Sequence, residues 1–98
     1  MRRGTTPQLT FTLPEAISIT ALYITFKQGD TVAFEKTLDD VSVDGKVITL
    51  TLTQEDTLRL NAPHAVQIQL RLKDTAGNAL ASEIIRTDAE TILKEGVI

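Results

Sequence analysis

The chain predicts an all-β domain, a two-sheet antiparallel sandwich of immunoglobulin-like shape with about seven short strands. Three observations carry that prediction. Apolar and polar residues alternate with period two along most of the chain, which gives each strand one face for a core and one for water. Gly, Asn and Asp stand between the alternating runs, where hairpin turns need them. Apolar residues make up 42% of 98 residues, enough to fill one core. Phe11, Tyr23, Phe26 and Phe34 are the only aromatics, so that core must come mainly from Leu, Ile and Val. The Cys and Trp landmarks of antibody domains are absent, and a small closed barrel is the competing architecture.

Residues 1–7 contain Arg2 and Arg3 without an apolar run behind them. They read as a flexible arm and not as a secretory signal. The sandwich is expected over residues 8–87. Leu9, Phe11 and Leu13 alternate with Gln8, Thr10 and Thr12 until Pro14 closes the first strand. Leu22, Ile24 and Phe26 form the next inward row, and Val32, Phe34, Lys36 and Leu38 share one parity after it. The short run Val41-Ser42-Val43 precedes Ile48, Leu50 and Leu52, which alternate with Thr49, Thr51 and Thr53. Val66, Ile68, Leu70 and Leu72 make a long strand, and a last one runs from about Ala79 to Thr87.

Facing residues on one sheet face must sit at matched positions, so parity fixes whether each loop is odd or even. Val43 and Ile48 require an even loop, and Asp44-Gly45 suits a two-residue type I′ turn. Phe26 with Val32 and Leu72 with Leu80 require odd loops, the first predicted as Gln28-Gly29-Asp30. Thr53-Gln54-Glu55-Asp56 is a capping-box variant that predicts one helical turn near 53–58, carrying the chain between sheets. Thr87-Asp88-Ala89-Glu90 repeats that signature before Ile92 and Leu93, with Gly96 placed as a C-cap. The tail, residues 88–98, is thus a short helix or an extra strand.

Composition removes several classes of function. The chain has no Cys, so disulfides and thiolate metal sites are out. A net charge of −3 with scattered Lys and Arg offers no stripe that would track phosphates, so nucleic acid is not an expected partner. No apolar run approaches membrane-spanning length, and the chain is expected in the cytoplasm when made. His64, the single histidine, adjoins Pro63, and Ser18, Ser42 and Ser82 have no evident activating base. The pairs Asp39-Asp40 and Glu55-Asp56 fall in turns, where acids are solvated. Asp40, Ser42, Asp44 and Gly45 match the first half of a calcium loop, but Thr51 stands where its closing Glu belongs. A hairpin accounts for all of those residues. No enzyme activity, metal, cofactor or small-molecule substrate is expected.

What remains are surfaces for assembly. The threonine row on 49–53 and the polar row Gln67-Gln69-Arg71 are flat strand faces, and edge strands accept further strands. The chain ends on Val97-Ile98 after Lys94-Glu95. Arg2, Arg3, Ile92, Leu93, Val97 and Ile98 are the candidate contact residues.

The opening Met1-Arg2-Arg3-Gly4-Thr5-Thr6-Pro7, followed by Leu9-Thr10-Phe11-Thr12-Leu13-Pro14, resembles the start of small prophage-encoded proteins of Gram-positive gut bacteria. Ile24 to Gly29, Lys36 to Asp40 and Leu52 to Thr57 fit the same pattern, as does the closing strand, Gly77-Asn78 turn, strand and Ala89-Glu90-x-x-Leu93 tail. The layout is also similar to the N-terminal sandwich of siphophage baseplate proteins, without their long C-terminal region. This resemblance implies a virion structural protein of the tail or baseplate that assembles as repeated copies against other phage proteins. The alternative is a soluble binding module outside the virion, an assembly chaperone or an inhibitor of a host protein.

Overall fold

A computed structural model describes residues Met1–Ile98. The strands are β1 (Gln8–Thr12), β2 (Ile19–Gln28), β3 (Thr31–Thr37), β4 (Val41–Asp44), β5 (Val47–Thr51), β6 (His64–Asp74), β7 (Ala79–Ala81) and β8 (Ile85–Ala89), with one short helix, α1 (Gln54–Leu58). All strand pairs are antiparallel. The smaller sheet has the order β1–β5–β4. The larger runs β3–β2–β6, and the far side of β6 pairs first with β8 and then with β7 along its length. The all-β, two-sheet architecture is thus the one the alternation predicts.

Between the sheets, Phe11, Ile48 and Leu50 meet Leu22, Ile24, Phe26, Phe34, Val66, Ile68, Leu70 and Leu72. Each strand sends alternate residues inward, so the apolar rows of both sheets interdigitate in one layer. Phe26 and Phe34 sit opposite each other across β2 and β3, with ring centroids 4.4 Å apart. Leu52 and Leu60, either side of α1, plug the end of the layer. Tight packing makes each of these positions sensitive to lost volume.

The turns refine the parity reading. Val41 faces Leu50 and Val43 faces Ile48, as parity requires. However, Asp44 pairs with Val47, so the two loop residues are Gly45 and Lys46. Only Gly45, at φ +59°, is left-handed there. A glycine at the first central position belongs to a type II′ turn, not the expected I′. The β2–β3 loop also differs. Gln28 pairs with Thr31, leaving Gly29-Asp30 as a two-residue turn in place of three. The odd residue that parity demands is Ala33, which bulges out of β3 between Val32 and Phe34. Val32 therefore faces Lys27 and lies 51% exposed instead of joining the inward row.

The expected last strand is two strands. Registers on β6 shift by one residue between Leu80 opposite Leu72 and Ile85 opposite Ile68. Ser82 makes the break. Its backbone N–H donates to Leu70 O, and its hydroxyl accepts from Leu70 N in the place of a ladder carbonyl. No helix follows: the second capping signature is absorbed into β8, where Thr87 pairs with Val66 and Ala89 with His64. Beyond the bridge at Glu90 the tail has no regular structure.

Phe26→Ala should lower unfolding free energy by about 3–5 kcal/mol, because the cavity beside Phe34 cannot collapse across a rigid ladder. Urea titration followed by circular dichroism measures it. Ser82→Ala should cost about 1–2 kcal/mol by leaving Leu70 N–H without its acceptor.

Candidate interaction site

The pole around α1 gathers both termini, and its geometry starts from one signature. Thr53 caps α1 with its hydroxyl on Asp56 N (3.1 Å), while the Asp56 carboxylate accepts from Thr53 N (3.0 Å). The other carboxylate oxygen accepts from Lys36 Nζ at 2.8 Å. Lys36 shares the inward parity of Phe34, so it points between the sheets and lies 5.8 Å above the Phe34 ring. The ion pair is mostly shielded, with side-chain exposures of 18% for Lys36 and 6% for Asp56. Burial alone pushes the Asp56 carboxyl up. Hydrogen bonds from Lys36 and Thr53, together with the Lys36 charge, outweigh burial and hold it below the ordinary aspartate range. The same Thr-x-x-Asp signature at Thr37 and Asp40 forms a 3₁₀ turn between β3 and β4, which the sequence reading passed over.

Residues 1–7 lie along this pole. Met1–Arg3 run parallel to the end of β8 through Arg3 N to Glu90 O and Glu90 N to Met1 O. The Arg3 guanidinium donates to Leu60 O (2.8 Å), Leu58 O (3.1 Å) and Glu95 Oε1 (2.6 Å). It therefore satisfies carbonyls at the end of α1, which a helix leaves open. Thr57, fully buried, donates its hydroxyl to Thr5 O and accepts from Thr5 N. Ile92 is half-buried against Gly4: a Cβ at Gly4 would lie 3.1 Å from Ile92 Cδ1, which would have to give by a few tenths of an ångström, and the backbone there has φ +71°.

The six predicted contact residues therefore separate. Arg3 and Ile92 are tied inward. Arg2 pairs with Glu90 at 3.3 Å yet remains accessible, and Leu93, Val97 and Ile98 project into solvent. His64 sits exposed at the start of β6, opposite Ala89. Asp40 spends its carboxylate on Thr37 N, while Ser42 and Asp44 stand in β4; no group of three acidic or histidine side chains could hold a metal. No helix is long and apolar enough to cross a membrane.

Two further surfaces stand out, and of these only the row Gln67-Gln69-Arg71 on the first was singled out from sequence. The outer face of the larger sheet centres on Tyr23, opposite Arg71, with Lys27, Lys73 and Arg86 around it and Glu35 bonded to Thr25. The second lies where β1, an edge of one sheet, approaches β7, an edge of the other. There the sandwich is open, and a groove of about 370 Å³ is lined by Phe11, Leu13, Pro14, Leu70, Leu72 and Leu80. Contacts between residues so distant in sequence carry no local signal.

Sheets in the orders β1–β5–β4 and β3–β2–β6–β7/β8 reproduce the B–E–D and C′–C–F–G strands of an immunoglobulin-type sandwich. In that arrangement strand A would border β1, and here no strand does. The fold defines an immunoglobulin-like module whose surfaces are sheet faces and edges. The family model for the bacterial Ig-like domain (Big_5) matches residues 2–86, and the chain belongs to that family. Comparison with curated proteins and with solved structures gives no match.

Asp56→Ala should destabilise the domain by about 2–4 kcal/mol, since Lys36 then keeps a shielded charge without its partner. The pH dependence has a definite sign. The folded carboxyl ionises below the unfolded value of about 3.9, so its contribution is complete at neutral pH and is lost as pH falls through the folded value. Stability measured by urea titration at pH 7 and pH 3 should therefore fall further in the wild type than in Asp56→Asn.

Proposed function

We propose that this domain is a non-catalytic docking module of a phage particle, placed in the tail or baseplate and used in repeated copies. The observation that carries the docking role is the placement of exposed apolar side chains on a rigid bacterial Ig-like sandwich. Leu80, Ile84 and Ile85 follow one another along one edge of the larger sheet, and Leu93, Val97 and Ile98 stand out at the α1 pole. Apolar residues grouped at an edge and a pole suit burial against neighbouring subunits. The tail or baseplate location rests on the resemblance of the opening and closing segments to prophage-encoded proteins.

A module of this size gains from repetition. Symmetry multiplies a modest contact, so a ring holds together through many weak interfaces. In this reading the sandwich presents a face or edge while Arg2, Leu93, Val97 and Ile98 reach the next subunit.

Quantitative mass spectrometry of particles purified from an induced host tests the proposal. A fixed copy number in multiples of about three or six is expected for a ring component. Abundance in the lysate with none in particles would overturn it and direct attention to a free chaperone or inhibitor, to be identified by its bound partner.

A further inference from the structure

We infer that the outer edge of β1 pairs with β1 of a second copy of this chain, the two strands running antiparallel about a two-fold axis at Thr10. The inference names a surface and an occupant for the docking role, and it rests on that reading.

The backbone fixes which groups are free. Leu13 N donates to Lys46 O (2.7 Å) and Leu52 N to Pro7 O (2.9 Å), so odd-numbered residues of β1 turn their N–H and C=O groups toward β5. Gln8, Thr10 and Thr12 consequently aim theirs outward, and no strand borders them.

Every other edge is protected. β3 bulges at Ala33, carries Glu35 and turns Lys36 inward. β4 follows Asp39 and Asp40 and ends on Asp44. β7 has three residues, and β8 carries Arg86 and Asp88 and is met beyond its end by Arg2. Charge, bulges, brevity and cover are the means by which sheets prevent strand addition. β1 has none of them. Its five residues keep an unbroken register with β5, and no charged residue occurs from Gly4 through Pro14.

The neighbouring groove strengthens the case. Leu80 lies opposite inward Leu72 and lines this groove, yet it is 45% exposed, because the layer is uncovered beside β1. A strand added to β1 would turn its alternate side chains over that opening.

Neither end of the sequence described is placed to cover β1. The segment before β1 is engaged on the opposite sheet through Met1–Arg3, and the tail is held at the α1 pole, where Ile98 exchanges two hydrogen bonds with Gln54. A second copy supplies a strand that fits. β1 is uncharged, so its approach to itself meets no local repulsion despite the net charge of −3. It alternates Leu9, Phe11 and Leu13 with Gln8, Thr10 and Thr12, so the two paired strands keep their apolar residues on the same face. Pairing about Thr10 sets Gln8 against Thr12 of the second copy and forms about six backbone hydrogen bonds. Leu9 of each copy then lies beside Phe11 of the other, and the two smaller sheets become one.

Sedimentation equilibrium of the full chain tests this. The wild type should dimerise reversibly. Thr10→Pro removes an N–H that bonds nothing within the chain, and Thr10→Lys places two cations at the axis; each should weaken dimerisation at least tenfold, with thermal melts confirming the fold. The chain has no cysteine, so Thr10→Cys should cross-link under mild oxidation, while Ser42→Cys, exposed on β4, should not. A wild type that stays monomeric at about millimolar concentration overturns the inference. So does a dimer indifferent to both Thr10 changes, which would use another surface. Particle association is read separately: a monomer present in particles removes the β1 pairing and leaves the docking role, whereas a dimer absent from particles does the reverse.

Discussion

The ladder between β2 and β6 is the constraint on which the rest of the molecule hangs. It pairs Leu22 with Leu72, Ile24 with Leu70 and Phe26 with Ile68, so six core side chains are placed by one register. A slip of one residue in either strand would turn its three core side chains toward water, bringing Tyr23 and Thr25 inside from β2 or Gln69 and Arg71 from β6. Because each strand is flanked on both sides, by β3 on one and by β7 and β8 on the other, the larger sheet grows outward from this pair. The smaller sheet is positioned by burial, since Ile48 and Leu50 can leave water only against the row that β2 and β6 present.

The Lys36–Asp56 pair then joins the two sheets through polar contacts. Lys36 comes from the edge of the larger sheet, and Asp56 sits in the helix that leaves the smaller one. An inward lysine serves two ends: it neutralises the capping carboxylate, and it discourages strand addition at β3. Arg3 does comparable work at the other end of α1, tying the N-terminal segment to Leu58, Leu60 and Glu95. The α1 pole is thereby closed by hydrogen bonds, while the side between β1 and β7 stays open.

Much of the fold was legible in the chain because a pleated strand has a period of two and the residues keep it. Parity paired Val43 with Ile48 and Leu72 with Leu80 before any coordinates. It also required an odd loop between Phe26 and Val32, but Val32 faces Lys27 and points outward, so the odd residue falls after it. The strands put it at Ala33, so Gly29-Asp30 could make a tight turn. Of the candidate contact residues, Leu93, Val97 and Ile98 were readable as apolar residues without a place in the alternation. Arg3 was read with them, but its tie to the carbonyls of Leu58 and Leu60 was not legible, because they reach it only after the chain has folded across itself.

The Thr-x-x-acid signatures at Thr37, Thr53 and Thr87 mark the boundary between the two kinds of information. Those at Thr37 and Thr53 each close a turn, and the sequence by itself supplied the hydroxyl, the acid and their spacing. The one at Thr87 has the same local chemistry, yet it is a strand, because Val66 and His64 offer a ladder whose hydrogen bonds outweigh a single cap. The sequence thus determined the all-β class, the inward rows and the parity of the loops, since these follow from local alternation. The tertiary structure decided the split of the last strand at Ser82, the Lys36–Asp56 pair and the uncovered edge of β1, since each depends on which distant strand comes to lie alongside.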